Sequence, residues 1–272
     1  MEELSGKIGE IKTEIESQLN ISIPLWFELS GDTADATVSD AELASRLPGM
    51  IDHTLLRPDA DSGEIKRLCE DAEKYGFYSV CIYSPFVGYC SEILEGSDVR
   101  VCSVAGFPSG AFLPRIKALE AREAVLAGAD EIDTVINISA LKENELTAVY
   151  DDIRAVVKAV SDDTVIKVIL ETGYLNEDEK IKGCILAQTA GANFVKTSTG
   201  FGPSGASVDD VRLMRAVVGP EIGVKAAGGI RDAAGAISMV KAGAARIGTS
   251  ASINIVTGIR RMVGPNCLRR GN

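Results

Sequence analysis

Two lysines each close a short apolar run and lead straight into small residues: Ala192-Asn193-Phe194-Val195-Lys196 before Thr197-Ser198-Thr199-Gly200, and Ile222-Gly223-Val224-Lys225 before Ala226-Ala227-Gly228-Gly229. A single lysine in such a place is ordinarily a solvated strand end. Two of them suit an amine nucleophile with a second cation beside it. A free lysine has a pKa near ~10.4, so only about one in a few thousand is neutral at pH 7. Lowering that value to about 7 raises the nucleophilic fraction roughly a thousandfold, about 4–5 kcal/mol of tuning. Lys225 is placed to supply the cation that lowers the pKa of Lys196. Asp133, in Glu131-Ile132-Asp133, is placed to relay protons and hold Lys225.

Three glycine-bearing stretches follow: Thr199-Gly200-Phe201-Gly202, Ala227-Gly228-Gly229-Ile230 and Gly248-Thr249-Ser250. Glycines let backbone N–H groups approach an anion, and Gly228-Gly229 runs into a helical pattern whose N-terminus favours phosphate. A phosphorylated substrate is the expectation. Metal chemistry is not expected. His53 is the only histidine, and none of the six cysteines forms a Cys-x-x-Cys pair. His53 reads as a structural histidine and Cys81 as a small buried hydrophobe, though one placed to meet reactive aldehydes. Lys167 shares a strand face with Glu171 by period two and is expected to project into the same site.

The elements that must position these residues alternate. Strand-like runs occur at 50–53, 79–83, 100–104, 131–137, 165–171, 193–196, 223–226 and 245–248. Helical patterns fall between them, at 64–75, 85–94, 112–127, 146–160, 177–190, 207–218, 231–242 and 251–262; the clearest stripe is Leu146, Val149, Ile153, Val156, Val157 and Val160. Alternation of this kind favours a parallel sheet, and eight units are the size of a closed (β/α)8 TIM barrel. An open doubly wound sheet would be expected to carry G-x-G-x-x-G after its first strand; Ile51-Asp52-His53-Thr54-Leu55-Leu56 does not. The barrel, over 48–272, should carry its chemistry at the C-terminal ends of the strands. Residues 1–47 read as an N-terminal helical extension. Leu4, Ile8, Ile11, Ile15 and Leu19 form its apolar seam, a polar linker runs over 31–38, and Ser39-x-x-Glu42 is a capping-box candidate. This arm, with Trp26, is expected to cover one end of the barrel or to serve as a subunit contact, making the protein a homo-oligomer.

The chain's 272 residues carry a net charge of −11, which argues against a nucleic-acid surface. No stretch is long and apolar enough for a membrane span, and Met1-Glu2-Glu3-Leu4 lacks the basic start of a signal peptide. Free thiols in a chain of this kind suggest a reducing, cytoplasmic setting.

From about Ile51 to Ser252 the chain resembles the 2-deoxyribose-5-phosphate aldolase family of class I aldolases. The likeness rests on Ile51-Asp52-His53-Thr54-Leu55-Leu56, Val80-Cys81-Ile82-Tyr83, Gly106-Phe107-Pro108-Ser109-Gly110, Gly128-Ala129-Asp130-Glu131-Ile132-Asp133 with Val135-Ile136-Asn137, Phe194-Val195-Lys196-Thr197-Ser198-Thr199-Gly200, and Lys225-Ala226-Ala227-Gly228-Gly229-Ile230-Arg231. The resemblance implies a Schiff base on Lys196, Lys225 as the lysine that lowers its pKa and Asp133 in the proton relay. It also implies sugar-hydroxyl contacts at Asp52 and Thr54, phosphate contacts at Gly200, Gly228, Gly229 and Ser250, and no cofactor. The chain departs from some family members at Phe201, at Ala251 and in its C-terminal run Cys267–Asn272, which bears on phosphate recognition and donor range more than on reaction class. A different phosphorylated carbonyl substrate, and a non-catalytic phosphate-binding barrel, are the alternatives.

Overall fold

The computed structural model describes residues 2–24 and 39–263. Trp26, the linker 31–38 and the run 267–272 lie outside the described residues. Eight strands, β1 (Ile51–Leu55), β2 (Ser79–Ile82), β3 (Arg100–Ala105), β4 (Glu131–Val135), β5 (Val165–Ile169), β6 (Phe194–Lys196), β7 (Gly223–Ala227) and β8 (Arg246–Thr249), close in chain order. Every neighbouring pair, including β1 with β8, is parallel. The fold is a (β/α)8 TIM barrel preceded by a helical segment.

Helices α3 (Ser62–Tyr75), α4 (Val87–Ile93), α5 (Pro114–Leu126), α6 (Ile138–Lys142), α7 (Leu146–Ala159), α8 (Glu177–Ala190), α9 (Val208–Val218), α10 (Ala233–Lys241) and α11 (Ser252–Val263) follow the strands. Their ends obey local chemistry. Asp61 with Glu64 and Asn176 with Glu179 form capping boxes that start α3 and α8. The start of α5 shifts to Pro114, since proline suits the first turn. Likewise α10 begins only after Asp232, whose carboxylate accepts from the Gly235 N–H. Residues 85–94 divide into a 3-10 turn at Ser84–Phe86 and α4. Helix α6, started by the Asn137 side chain, is a short element the periodicity does not announce.

Helix α1 (Glu2–Leu19) lies on the outside of α7 and α8. Ile8, Ile11 and Ile15 of its seam are buried there. Lys7 pairs with Glu177 and Asp178, while Glu14 pairs with Lys182 and accepts from Asn144. The seam is therefore covered within the chain. Helix α2 (Asp40–Arg46) starts at Ser39, whose hydroxyl accepts from the Glu42 N–H at 3.3 Å, and it packs toward α10 and α11. No helix of the described residues is long and apolar enough to cross a membrane.

Strand alternation separates two interiors. Ile51, Val80, Ile132, Val168, Val195, Val224 and Ile247 join the apolar layer beneath the helices. The intervening positions point into the barrel, where branched apolar residues are usual. Here several are charged and buried: Asp52, Glu131, Asp133, Lys167, Lys196, Lys225 and Arg246.

Candidate active site

Asp133 is the hub of these charges. Its Oδ2 accepts from Lys196 Nζ at 2.8 Å and from Lys225 Nζ at 2.6 Å, and its Oδ1 accepts from Lys167 Nζ at 2.8 Å. Lys225 also reaches Asp52 Oδ2 at 2.5 Å, and Asp52 Oδ1 accepts from Arg246 Nη1 at 2.6 Å. Arg246 Nη2 donates to Glu131 Oε1 at 3.2 Å, and Glu131 Oε2 lies 2.6 Å from Lys167 Nζ. The path Asp133–Lys167–Glu131–Arg246–Asp52–Lys225 returns to Asp133. It is a closed ring of six alternating charges, with Lys196 attached, among the described residues, to Asp133 alone.

Alternation favours the charged forms of Asp133, Asp52, Lys225 and Lys167 inside the barrel. Burial alone would raise the Asp133 carboxyl, but Lys167, Lys196 and Lys225 hold it well below the usual carboxylate range. Burial likewise opposes ionisation of Asp52, yet Lys225, Arg246 and Lys167 pull it down. Burial would lower Lys225 and Lys167; Asp133 with Asp52, and Asp133 with Glu131 among others, raise them instead. Packing holds the ring in place. A Cβ at Gly248 would lie 3.0 Å from Lys225 Cε, so the missing side chain makes room for the lysine stem. The Arg246 guanidinium stacks 3.3 Å from the Tyr78 ring centroid and 5.5 Å from that of Phe194.

The loops after β6 and β7 carry glycines in the left-handed region. Gly200, Gly228 and Gly229 adopt φ of 88°, 92° and 77°. Nothing lies within 4 Å of a Cβ built on Gly200 or Gly229, whereas Gly228 is clasped by the backbone at Gly205 and accepts from the Ala206 N–H at 3.0 Å. Ser250 is exposed at the end of β8. Glu171, just beyond β5, accepts from both the Thr199 N–H and hydroxyl and so pins the loop after β6. Phe201 in that loop meets Phe107 edge-on at 5.5 Å, and Phe107 meets Tyr83 at 6.0 Å. Thr54 donates its hydroxyl to the Asp52 carbonyl.

Among the described residues, Cys81, Cys102 and Asp133 bring potential metal-ligand atoms within 4.8 Å of one another. Three ammonium groups already surround that carboxylate, and burial raises the Cys102 thiol well above its usual value, so the spot disfavours a cation. His53 faces away from the barrel, 2.9 Å from the Ser252 hydroxyl, and burial lowers its pKa to about 4.

A buried primary amine beside an ionised carboxylate is suited to carbonyl chemistry. Residues 49–261 match the model of the DeoC/LacD family aldolases. The chain belongs to the DeoC/LacD aldolase family. This aldolase is 54% identical over 208 residues to the deoxyribose-phosphate aldolase of Streptococcus uberis, covering 76% of this chain and 94% of that one. It is 57% identical over 209 residues to that of Caldanaerobacter subterraneus, covering 76% and 90%. Among solved structures, the tetrameric deoxyribose phosphate aldolase of Aeropyrum pernix superposes with a TM-score of 0.74 at 32% identity, over 94% of this chain and 99% of that one. The family makes this aldolase an enzyme, a carbon–carbon lyase.

Lys196, Lys225, Asp133 and Asp52 converge in the aldolase barrel, and Thr54 and the three glycines lie at or above its rim. Both Asp52 oxygens are engaged by cations, so it adjoins the site through Lys225. Lys167 projects inward, whereas Glu171 does not follow it: past the strand end its backbone turns to φ 57°. Arg246 and Glu131 escaped the sequence reading because they open β8 and β4, the ends opposite the expected chemistry. Their signal was present in the alternation: Glu131 stands two residues before Asp133, and Arg246 opens an otherwise small and apolar strand.

Proposed function

We propose that this aldolase reversibly cleaves 2-deoxy-D-ribose 5-phosphate to acetaldehyde and D-glyceraldehyde 3-phosphate through an imine on Lys196. The observation that carries this reading is the single buried carboxylate shared by Lys196 and Lys225, 2.8 and 2.6 Å from Asp133 Oδ2. Neutral Lys196 attacks C1 of the open-chain sugar, and loss of water leaves a protonated imine. Removal of the C3 hydroxyl proton then breaks the C2–C3 bond. The electron pair passes into the imine to give an enamine, and glyceraldehyde 3-phosphate departs. Protonation at C2 and hydrolysis release acetaldehyde and the amine. Asp133 relays protons at these steps, and the Lys225 ammonium disfavours a second proton-bearing amine at the same carboxylate. The lysine itself is the electron sink, so the scheme calls for no cofactor.

Gly200, Gly228, Gly229 and Ser250 are assigned to the phosphate, and Asp52 and Thr54 to the sugar-hydroxyl side. The names of the relatives and the open space at Gly200 and Gly229 support that assignment. The division into an arm of residues 1–47 and a catalytic barrel of 48–272 belongs to the same reading. So does self-association, in keeping with the tetrameric relative, and a reducing cytoplasmic setting, in keeping with five free buried cysteines among the described residues. Borohydride trapping with 2-deoxyribose 5-phosphate and mass mapping tests the chemistry. A reduced adduct on Lys196 is expected; an adduct elsewhere, or none on folded protein, overturns it.

A further inference from the structure

Building on the imine role of Lys196, we propose that Arg246 and Glu131 are positioning residues that set the charge count of the barrel and thereby decide whether Lys196 keeps its proton. Every strand contributes a titratable or charged group to this interior: Asp52, Cys81, Cys102, Glu131 with Asp133, Lys167, Lys196, Lys225 and Arg246. Glu171 is turned to Thr199 and His53 to Ser252, so neither enters the count. Leaving Lys196 aside, three cations face three carboxylates.

Connectivity makes Lys196 the member that yields. Lys167 pairs with Glu131 and Asp133, Lys225 with Asp52 and Asp133, and Arg246 with Asp52 and Glu131. Among the described residues, Lys196 has Asp133 alone. A buried set of charges resists any net excess. With the ring balanced, a proton on Lys196 is the surplus charge, and its loss leaves every other pair intact. Removing the Arg246 cation leaves one carboxylate in excess, which a protonated Lys196 would neutralise. Removing the Glu131 charge does the opposite. Arg246 and Glu131 touch neither Lys196 nor the open loops, so they act only through Asp52, Lys225, Lys167 and Asp133.

The test is the acid limb of the pH profile of kcat/KM for 2-deoxyribose 5-phosphate cleavage, with circular dichroism as the check on folding. Glu131→Gln should move the limb to lower pH and Arg246→Gln to higher pH, each by on the order of one unit. The double variant should return near the wild-type position whatever its rate, and Arg246→Lys should stay near wild type. Cys81→Ala controls for a thiolate: an unchanged limb is expected, and a shift as large as that of Glu131→Gln would overturn the count. Shifts of the same sign, or none in either single variant, would overturn the proposal. Should Arg246→Gln not fold, Glu131→Gln decides alone, and a limb that stays or moves to higher pH refutes it. Borohydride trapping on the wild type separates this failure from failure of the imine reading, since the adduct on Lys196 would still form.

Discussion

Among the described residues, two buried lysine–carboxylate clusters respond to burial in opposite ways. Between α5 and α7, Lys117 Nζ lies 2.6 Å from Asp152 and donates to the Val135 carbonyl at 2.8 Å. Burial dominates there: it lowers Lys117 and raises Asp152, each only partly opposed by the other. Inside the barrel the balance reverses, with Asp133 held well below and Lys225 raised above their usual ranges. The difference lies in partner number. One partner does not offset the loss of water, whereas two or three do. The isolated pair has a structural task, since the Lys117 stem packs beneath Gly106 and supports the loop that carries Phe107 to the mouth. The ring keeps charges poised for chemistry.

The sharpest way to break this comparison is to remove one lysine from each cluster. Lys196→Ala should lose about 10⁴-fold or more in cleavage rate along with the trapped adduct. Lys117→Met should stay within about tenfold while folded. A comparable loss from both would erase the distinction. Lys225→Met should cost roughly 10²–10³-fold in kcat/KM, with partial recovery at high pH where Lys196 loses its proton unaided. A pH-independent loss would argue against an electrostatic role for Lys225.

Stability tests the isolated pair. In urea titrations Lys117→Met alone should cost about 3 kcal/mol, because Asp152 is left buried without its partner. Adding Asp152→Leu should recover most of that. Near-additive losses would mean that the two groups are uncoupled, and would overturn the account of Asp152 as a carboxylate left without its partner. His53, a buried titratable group outside both clusters, acts on stability only through its pH dependence. Its folded pKa of about 4 lies below the ordinary 6.5. The unfolded state therefore binds the proton first, so this contribution is complete above pH 6.5 and is lost as pH falls toward 4. It amounts to about 3 kcal/mol at most. His53→Asn should flatten that part of the stability–pH curve, and an unchanged slope would assign the acid sensitivity to other groups.

Much of the barrel was legible in the chain. The alternation of apolar runs placed all eight strands, and the lysines that follow two of those runs named Lys196, which ends β6, and Lys225, which lies at the middle of β7. Asp133 was named by its place on the fourth strand-like run, and period two sent Lys167 inward. Arg246 and Glu131 were hidden by the expectation that chemistry gathers at C-terminal strand ends, and the ion-pair partners of Asp52 by their distance along the chain. The apolar seam of α1 was visible as a seam, but its burial against α7 and α8 was not, since a stripe records what must be covered and not by what.

The sequence by itself determined which side chains face the barrel interior and what chemistry their types allow, because strand alternation is a local property of the backbone. Which charges meet was decided by the tertiary structure alone. Asp52 and Arg246 stand 194 residues apart and pair only because β8 closes beside β1. A ring of charges exists once the barrel is shut, and no local pattern along the chain encodes that closure.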